Sequence, residues 1–128
     1  MCLIVDDEPA IRSYVRSVLK GENYETLEAI TVTEARWLLQ KMSHEVDLII
    51  SDITMPGGDG LVLVAELRDK YPSVPIVVMS GHAEFERQKY PRGIFEFLQK
   101  PFHPGTLLGA IQKATRMIDL KRGSSTLE

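Results

Sequence analysis

Five residues far apart in the chain could do chemistry together: Asp6, Asp7, Asp52, Ser80 and Lys100. Three carboxylates brought close repel one another, and one is pushed toward protonation unless a cation compensates. A hard divalent ion with oxygen ligands supplies that compensation. Mg2+ suits it best, because it keeps several waters and leaves room for a phosphate. A carboxylate beside Mg2+ and the Lys100 ammonium is a reasonable nucleophile toward phosphorus. Phosphoryl transfer needs in-line positioning and neutralised equatorial oxygens, and Mg2+, Lys100 and the Ser80 hydroxyl could provide the neutralisation. Each residue taken singly has a plainer reading. Asp6 or Asp7 would cap a helix, Asp52 would be a loop acid, Ser80 a turn residue and Lys100 a solvated lysine.

What favours the joint reading is the placement of these residues at the ends of strand-like segments. Cys2–Val5 is a short continuous apolar run, the pattern of a strand buried on both faces. Further strands are expected over Tyr24–Ala29, Val46–Ile50, Ile76–Met79 and Phe95–Leu98. Helical spacing separates them. Pro9 opens a helix carrying Ile11, Val15, Val18 and Leu19, with Gly21 as its stop. Thr31 and Glu34 form a capping box before Ala35, Leu38, Leu39 and Met42. Leu61, Val64 and Leu67 mark another helix, and Pro104 opens a last one with Leu107, Leu108, Ile111, Ala114 and Ile118 inward. Five strands alternating with about five helices predict an α/β domain with a parallel sheet covered on both faces. In such sheets ligands bind beyond the carboxyl ends of the strands, where the five residues fall.

Composition narrows the functions further. The 128 residues suit one domain, expected over residues 1–120, with 121–128 as the start of a linker or a cloning remnant. A 44% hydrophobic and 26% charged chain is that of an ordinary globular protein. With 15 basic against 18 acidic residues the net charge is −3, which disfavours direct nucleic-acid binding. Nothing approaches the apolar length of a membrane span or a signal peptide. One cysteine permits no internal disulfide and fits a reducing compartment, and with three scattered histidines it argues against a zinc site. Cys2 reads as a buried small hydrophobe, and His44 and His103 as surface residues.

Four segments together resemble the receiver domain of bacterial two-component response regulators. They are Leu3-Ile4-Val5-Asp6-Asp7-Glu8, Asp47 through Gly60, Val78-Met79-Ser80-Gly81-His82 and Phe97-Leu98-Gln99-Lys100-Pro101-Phe102. The resemblance implies a flavodoxin-like five-stranded parallel sheet in order 2-1-3-4-5 with helices on both faces, the order the chemotaxis receiver illustrates. It implies that Asp52 accepts a phosphoryl group from a sensor histidine kinase or phosphotransfer protein. Mg2+ or Mn2+ would be held by Asp7 and Asp52 directly, by Asp6 through water, and by the backbone carbonyl of Thr54. Ser80 and Lys100 would bind the phosphoryl oxygens, Phe97 would be the aromatic switch, and Thr54 and His82 would tune the acyl-phosphate lifetime. A cis Lys100–Pro101 bond is also implied. The surface of the fourth helix, fifth strand and fifth helix would then signal to an output domain or partner protein, or form a homodimer. The protein would be cytoplasmic and a switch rather than a turnover enzyme.

One segment departs from that pattern. The stretch from Ser80 to Lys100 is about two residues short, and Pro91 cannot sit inside a regular helix, so the fourth helix is expected to be short or irregular. Other readings are an aspartyl phosphohydrolase of the haloacid-dehalogenase type, disfavoured by Thr54 where a second acid would stand, and a flavin-binding domain, disfavoured by Asp6-Asp7-Glu8-Pro9 where a phosphate loop would lie. A degenerate receiver is disfavoured by the presence of all five site residues.

Overall fold

A computed structural model of the chain describes residues 1–54, 60–81 and 93–127, with the side chains of 124–127 left aside. The expected fourth helix with Pro91, and His82, lie outside the described residues, as do residues 55–59 of the segment Asp47 through Gly60. Strands β1 (Cys2–Val5), β2 (Thr26–Ala29), β3 (Leu48–Asp52), β4 (Ile76–Ser80) and β5 (Glu96–Gln99) form one sheet in order β2-β1-β3-β4-β5. Every neighbouring pair is parallel. Helices α1 (Pro9–Gly21), α2 (Val32–Met42), α3 (Gly60–Lys70) and α4 (Pro104–Leu127) cover it. The expected flavodoxin-like order is therefore the observed one.

Side-chain alternation along the strands divides the core in two. Leu3 and Val5 of β1 join Ile49, Ile76 and Val78 under α2 and α3. Cys2 and Ile4 join Leu48, Ile50, Val77 and Met79 under α1 and α4. Both faces of β1, β3 and β4 are buried, which is why these strands read as unbroken apolar runs.

Several boundaries differ from the sequence expectation, β4 by the one residue Ser80 at its end. Strand β2 starts at Thr26 because Tyr24 still belongs to the end of α1: its N–H donates to Leu19 O at 3.0 Å. The left-handed residue there is Asn23, at φ 65°, rather than Gly21. Asparagine tolerates this conformation, and it closes the helix without a glycine. Strand β3 runs two residues later than expected, Leu48–Asp52, because Cys2 pairs with Leu48 and Asp52 with Met79. Strand β5 is likewise shifted to Glu96–Gln99. Helix α4 continues past Leu120 to Leu127, so residues 121–127 extend the last helix. Arg122 there hydrogen-bonds Asp47, which also accepts from the Met1 amine at 2.7 Å.

The Thr31–Glu34 capping box forms with its return bond displaced to the residue before the N-cap. Thr31 Oγ1 accepts the Glu34 N–H at 3.0 Å, while Glu34 Oε1 accepts the N–H of Ile30 at 3.0 Å. His44 and His103 are exposed, as expected. Trp37 is 53% exposed with the Lys41 ammonium 4.4 Å from its ring centre.

Cys2 is fully buried on β1, and burial pushes its thiol well above the ordinary 9.0. The folded chain thus holds this proton more tightly than the unfolded chain does. Stability is lost as pH rises past the unfolded value, at up to about 1.4 kcal/mol per pH unit. The denaturant midpoint is therefore expected to fall between pH 9 and 10 in the parent and to flatten in Cys2→Ala. A thiol reagent is expected to label Cys2 only after unfolding.

Candidate functional site

The order β2-β1-β3 places a switch point between β1 and β3, where connections leave in opposite directions and a crevice opens at the carboxyl ends. Asp6 and Asp7 follow β1 at this point, and Asp52 is the last residue of β3. Ser80 ends β4, and Lys100 follows β5 directly. The sheet alone brings these residues to one edge, although Asp6 and Lys100 are 94 positions apart.

Asp6 and Ser80 are fully buried, and Asp52 is 2% exposed. The Lys100 ammonium donates to Asp6 Oδ2 at 2.8 Å, to Asp52 Oδ2 at 3.0 Å and to Glu8 Oε1 at 3.4 Å. The other oxygen of each buried carboxylate is held by backbone. Glu8 N–H donates to Asp6 Oδ1 at 2.8 Å, and Thr54 N–H to Asp52 Oδ1 at 2.8 Å. The Thr54 hydroxyl adds a second bond to Asp52 Oδ1 at 2.7 Å. The plain cap reading of Asp6 and Asp7 does not hold: Glu8 is the N-cap of α1 and no side chain caps that helix.

Burial raises the Asp6 carboxyl above its ordinary 3.8, against the opposing pull of Lys100 and the Glu8 N–H. Burial also acts to lower Lys100, but its bonds to Asp6 and Asp52 outweigh this and carry it above 10.5. Both shifts describe one compromise, in which carboxylates are kept in a dry place by an ammonium aimed between them.

Asp6, Asp7, Glu8 and Asp52 each present a carboxylate oxygen, and these oxygens lie within 4.8 Å of one another. Asp7 and Glu8 are exposed at the mouth while Asp6 and Asp52 are buried behind them. An all-oxygen donor set with open room on one side fits Mg2+ or Mn2+ and disfavours a soft metal.

A family model for the response regulator receiver domain matches residues 2–112. The chain belongs to that family. It is 38% identical over 117 residues to the KDP operon transcriptional regulatory protein KdpE of Escherichia coli, covering 89% of this chain and half of that relative. The receiver domain of NtrX from Brucella abortus superposes with a TM-score of 0.79 at 32% identity, over 89% of this chain and 97% of that one. The chemotaxis response regulator CheY4 of Vibrio cholerae gives 0.77 at 33% identity, over 88% and 96%.

The receiver's remaining residues fall as follows. Phe97 is half-buried on β5, pairs with Val78 and packs against the core under α2 and α3. Val78 lies on that same face, so strand alternation turns Ser80 toward it as well. The Ser80 side chain and the Phe97 ring thus share a face. The Lys100–Pro101 bond is cis. Gly60, the first residue of α3, leaves no room for a side chain: a Cβ there would stand 2.5 Å from Ile53 Cα. The close approach packs α3 onto the residue after Asp52.

Sequence reasoning passed over two participants. Glu8 carried a visible signal as a third consecutive acid, whereas Arg12 carried none, because its partners Asp6 and Glu28 lie on different elements.

Lys100→Ala would leave Asp6 and Asp52 buried without their counter-charge. Breaking a buried pair from one side costs about 3–5 kcal/mol. Urea unfolding of Lys100→Ala without Mg2+ is expected to show a loss of that order, partly recovered in Lys100→Ala/Asp6→Asn.

Proposed function

We propose that this receiver is a phosphorylation-dependent switch in which Asp52 takes the phosphoryl group. The observation that carries this reading is the Asp52 carboxylate, buried and positioned by Lys100 and Thr54 beside three further carboxylates at the switch point of the sheet. An Asp52 oxygen attacks the phosphorus of a phosphohistidine on a sensor kinase or phosphotransfer protein. The O–P bond forms as the P–N bond breaks, and the imidazole leaves with the electron pair. Mg2+, when bound, neutralises the phosphoryl oxygens. Asp7 and Asp52 would hold it directly, Asp6 through water, with the Thr54 carbonyl as a further ligand.

The chain's own groups then respond. Lys100 exchanges its carboxylate partners for a phosphoryl oxygen, and the buried Ser80 hydroxyl donates to another. Phe97 follows Ser80 inward on their shared face. The surface beside β5 and α4 changes with it and signals to an output domain or a partner protein. Water later hydrolyses the acyl phosphate, returning Asp52 and inorganic phosphate, with Thr54 and His82 setting the pace. The chain is thus a substrate and slow self-catalyst rather than a turnover enzyme, working in the cytoplasm. A phosphohydrolase would want an acid where Thr54 stands, and here that side chain is already bonded to Asp52.

Intact mass after incubation with Mg2+ and acetyl phosphate tests the reading. The parent is expected to gain one phosphoryl group and Asp52→Asn none, with the nearly isosteric variant still folded by circular dichroism. Failure of both acetyl phosphate and fluoroberyllate with Mg2+ to bind the parent would overturn it.

A further inference from the structure

Helix α1 reaches back to the site through one side chain. Arg12 donates from Nη1 to the backbone carbonyl of Asp6 at 2.9 Å. Its Nε donates to Glu28 Oε1, on β2, at 3.2 Å. The side chain is only 16% exposed. Glu28 is held in turn by Arg16, which donates to its other oxygen at 2.6 Å. Asp6 N–H donates to Ala29 O at 3.0 Å, so the residue after Glu28 fixes one side of Asp6 while Arg12 fixes the other.

These bonds act on a single peptide plane. The Asp6 carbonyl belongs to the rigid Asp6–Asp7 peptide, so fixing that oxygen also fixes where Asp7 leaves the backbone. Asp7 is exposed at the mouth and has no strand or helix of its own to orient it. We infer that Arg12 is a positioning residue for the divalent cation: by tethering the Asp6 carbonyl to β2 through Glu28, it pre-orients the Asp7 carboxylate. The inference rests on the proposed role of Asp7 and Asp52 as metal ligands. Partners that orient metal ligands typically change affinity 10- to 100-fold when removed, and roughly tenfold is expected for one acting through the backbone.

The sign of the effect separates this role from simple charge. Arg12 is a cation beside an acidic cluster, so by Coulomb attraction and repulsion alone its removal would tighten Mg2+ binding. A positioning role predicts the reverse. Calorimetric titration of the full chain with Mg2+, without phosphodonor, is the test. Arg12→Met keeps the apolar stem and is expected to bind Mg2+ about tenfold more weakly. Arg12→Lys keeps the charge without the fork that spans both partners, and is also expected to bind more weakly, with its thermal midpoint within a few degrees of the parent. It serves alone if Arg12→Met does not fold. In acetyl phosphate labelling, the variant's rate is expected to approach the parent's once Mg2+ saturates. Unchanged or tighter Mg2+ binding would overturn the inference, as would a labelling rate that saturating Mg2+ does not restore. A parent that binds no Mg2+ would instead overturn the metal-site reading on which it rests.

Discussion

Two carboxylates, Asp6 and Asp52, are buried at one end of the sheet and share one ammonium, Lys100. Burying charge is costly unless it is paired and hydrogen-bonded, and every oxygen of this pair has a donor. Much of the architecture serves that arrangement. The three residues come from the ends of β1, β3 and β5, and the parallel order β2-β1-β3-β4-β5 brings those ends together. The apolar layers on both faces keep water from the carboxylates, and the switch point leaves their outer side open. The result is a site with strong charges in a dry place and an open side at which Asp7 and Glu8 are exposed.

Much of this was legible in the sequence because its signals are strong where burial is complete. The runs around Leu3-Ile4-Val5, Leu48-Ile49-Ile50 and Ile76-Val77-Val78 are apolar on both faces, and each ends within two residues of a polar residue at the site: Asp6, Asp52 and Ser80. Element boundaries are less legible, at the partly buried β2 and β5 and also at the fully buried β3, whose ladder partners set its register. Tyr24 is of a residue type common in strands, but its backbone completes the turn begun at Asn23. Residues 121–127 lack apolar periodicity, yet helix α4 runs through them, with Arg122 bonded to Asp47. Long-range polar bonds such as Arg12 to Asp6 leave no periodic trace, because they depend on which elements become neighbours.

Thr54 has a divided part in this setting. Its N–H and hydroxyl both bond one oxygen of Asp52, and the Gly81 N–H donates to the same hydroxyl at 3.4 Å. It therefore ties the ends of β3 and β4 together at the carboxylate. Any group replacing Thr54 must either supply those bonds or leave Asp52 freer to turn. The close packing of Gly60 on Ile53 has the same tendency, since it fixes the backbone of the residue directly after Asp52.

The span between Asp6 and Lys100 has a consequence for the chain's life on the ribosome. The acids at positions 6–8 and 52 are made first, and their counter-charge arrives 94 residues after Asp6. At about 5–20 residues per second, several seconds pass before Lys100 is even synthesised. During that interval the acids of β1 and β3 cannot be buried at low cost, so the nascent sheet has reason to stay open at this end. Closing it awaits β5, and the site becomes competent only when the last strand docks.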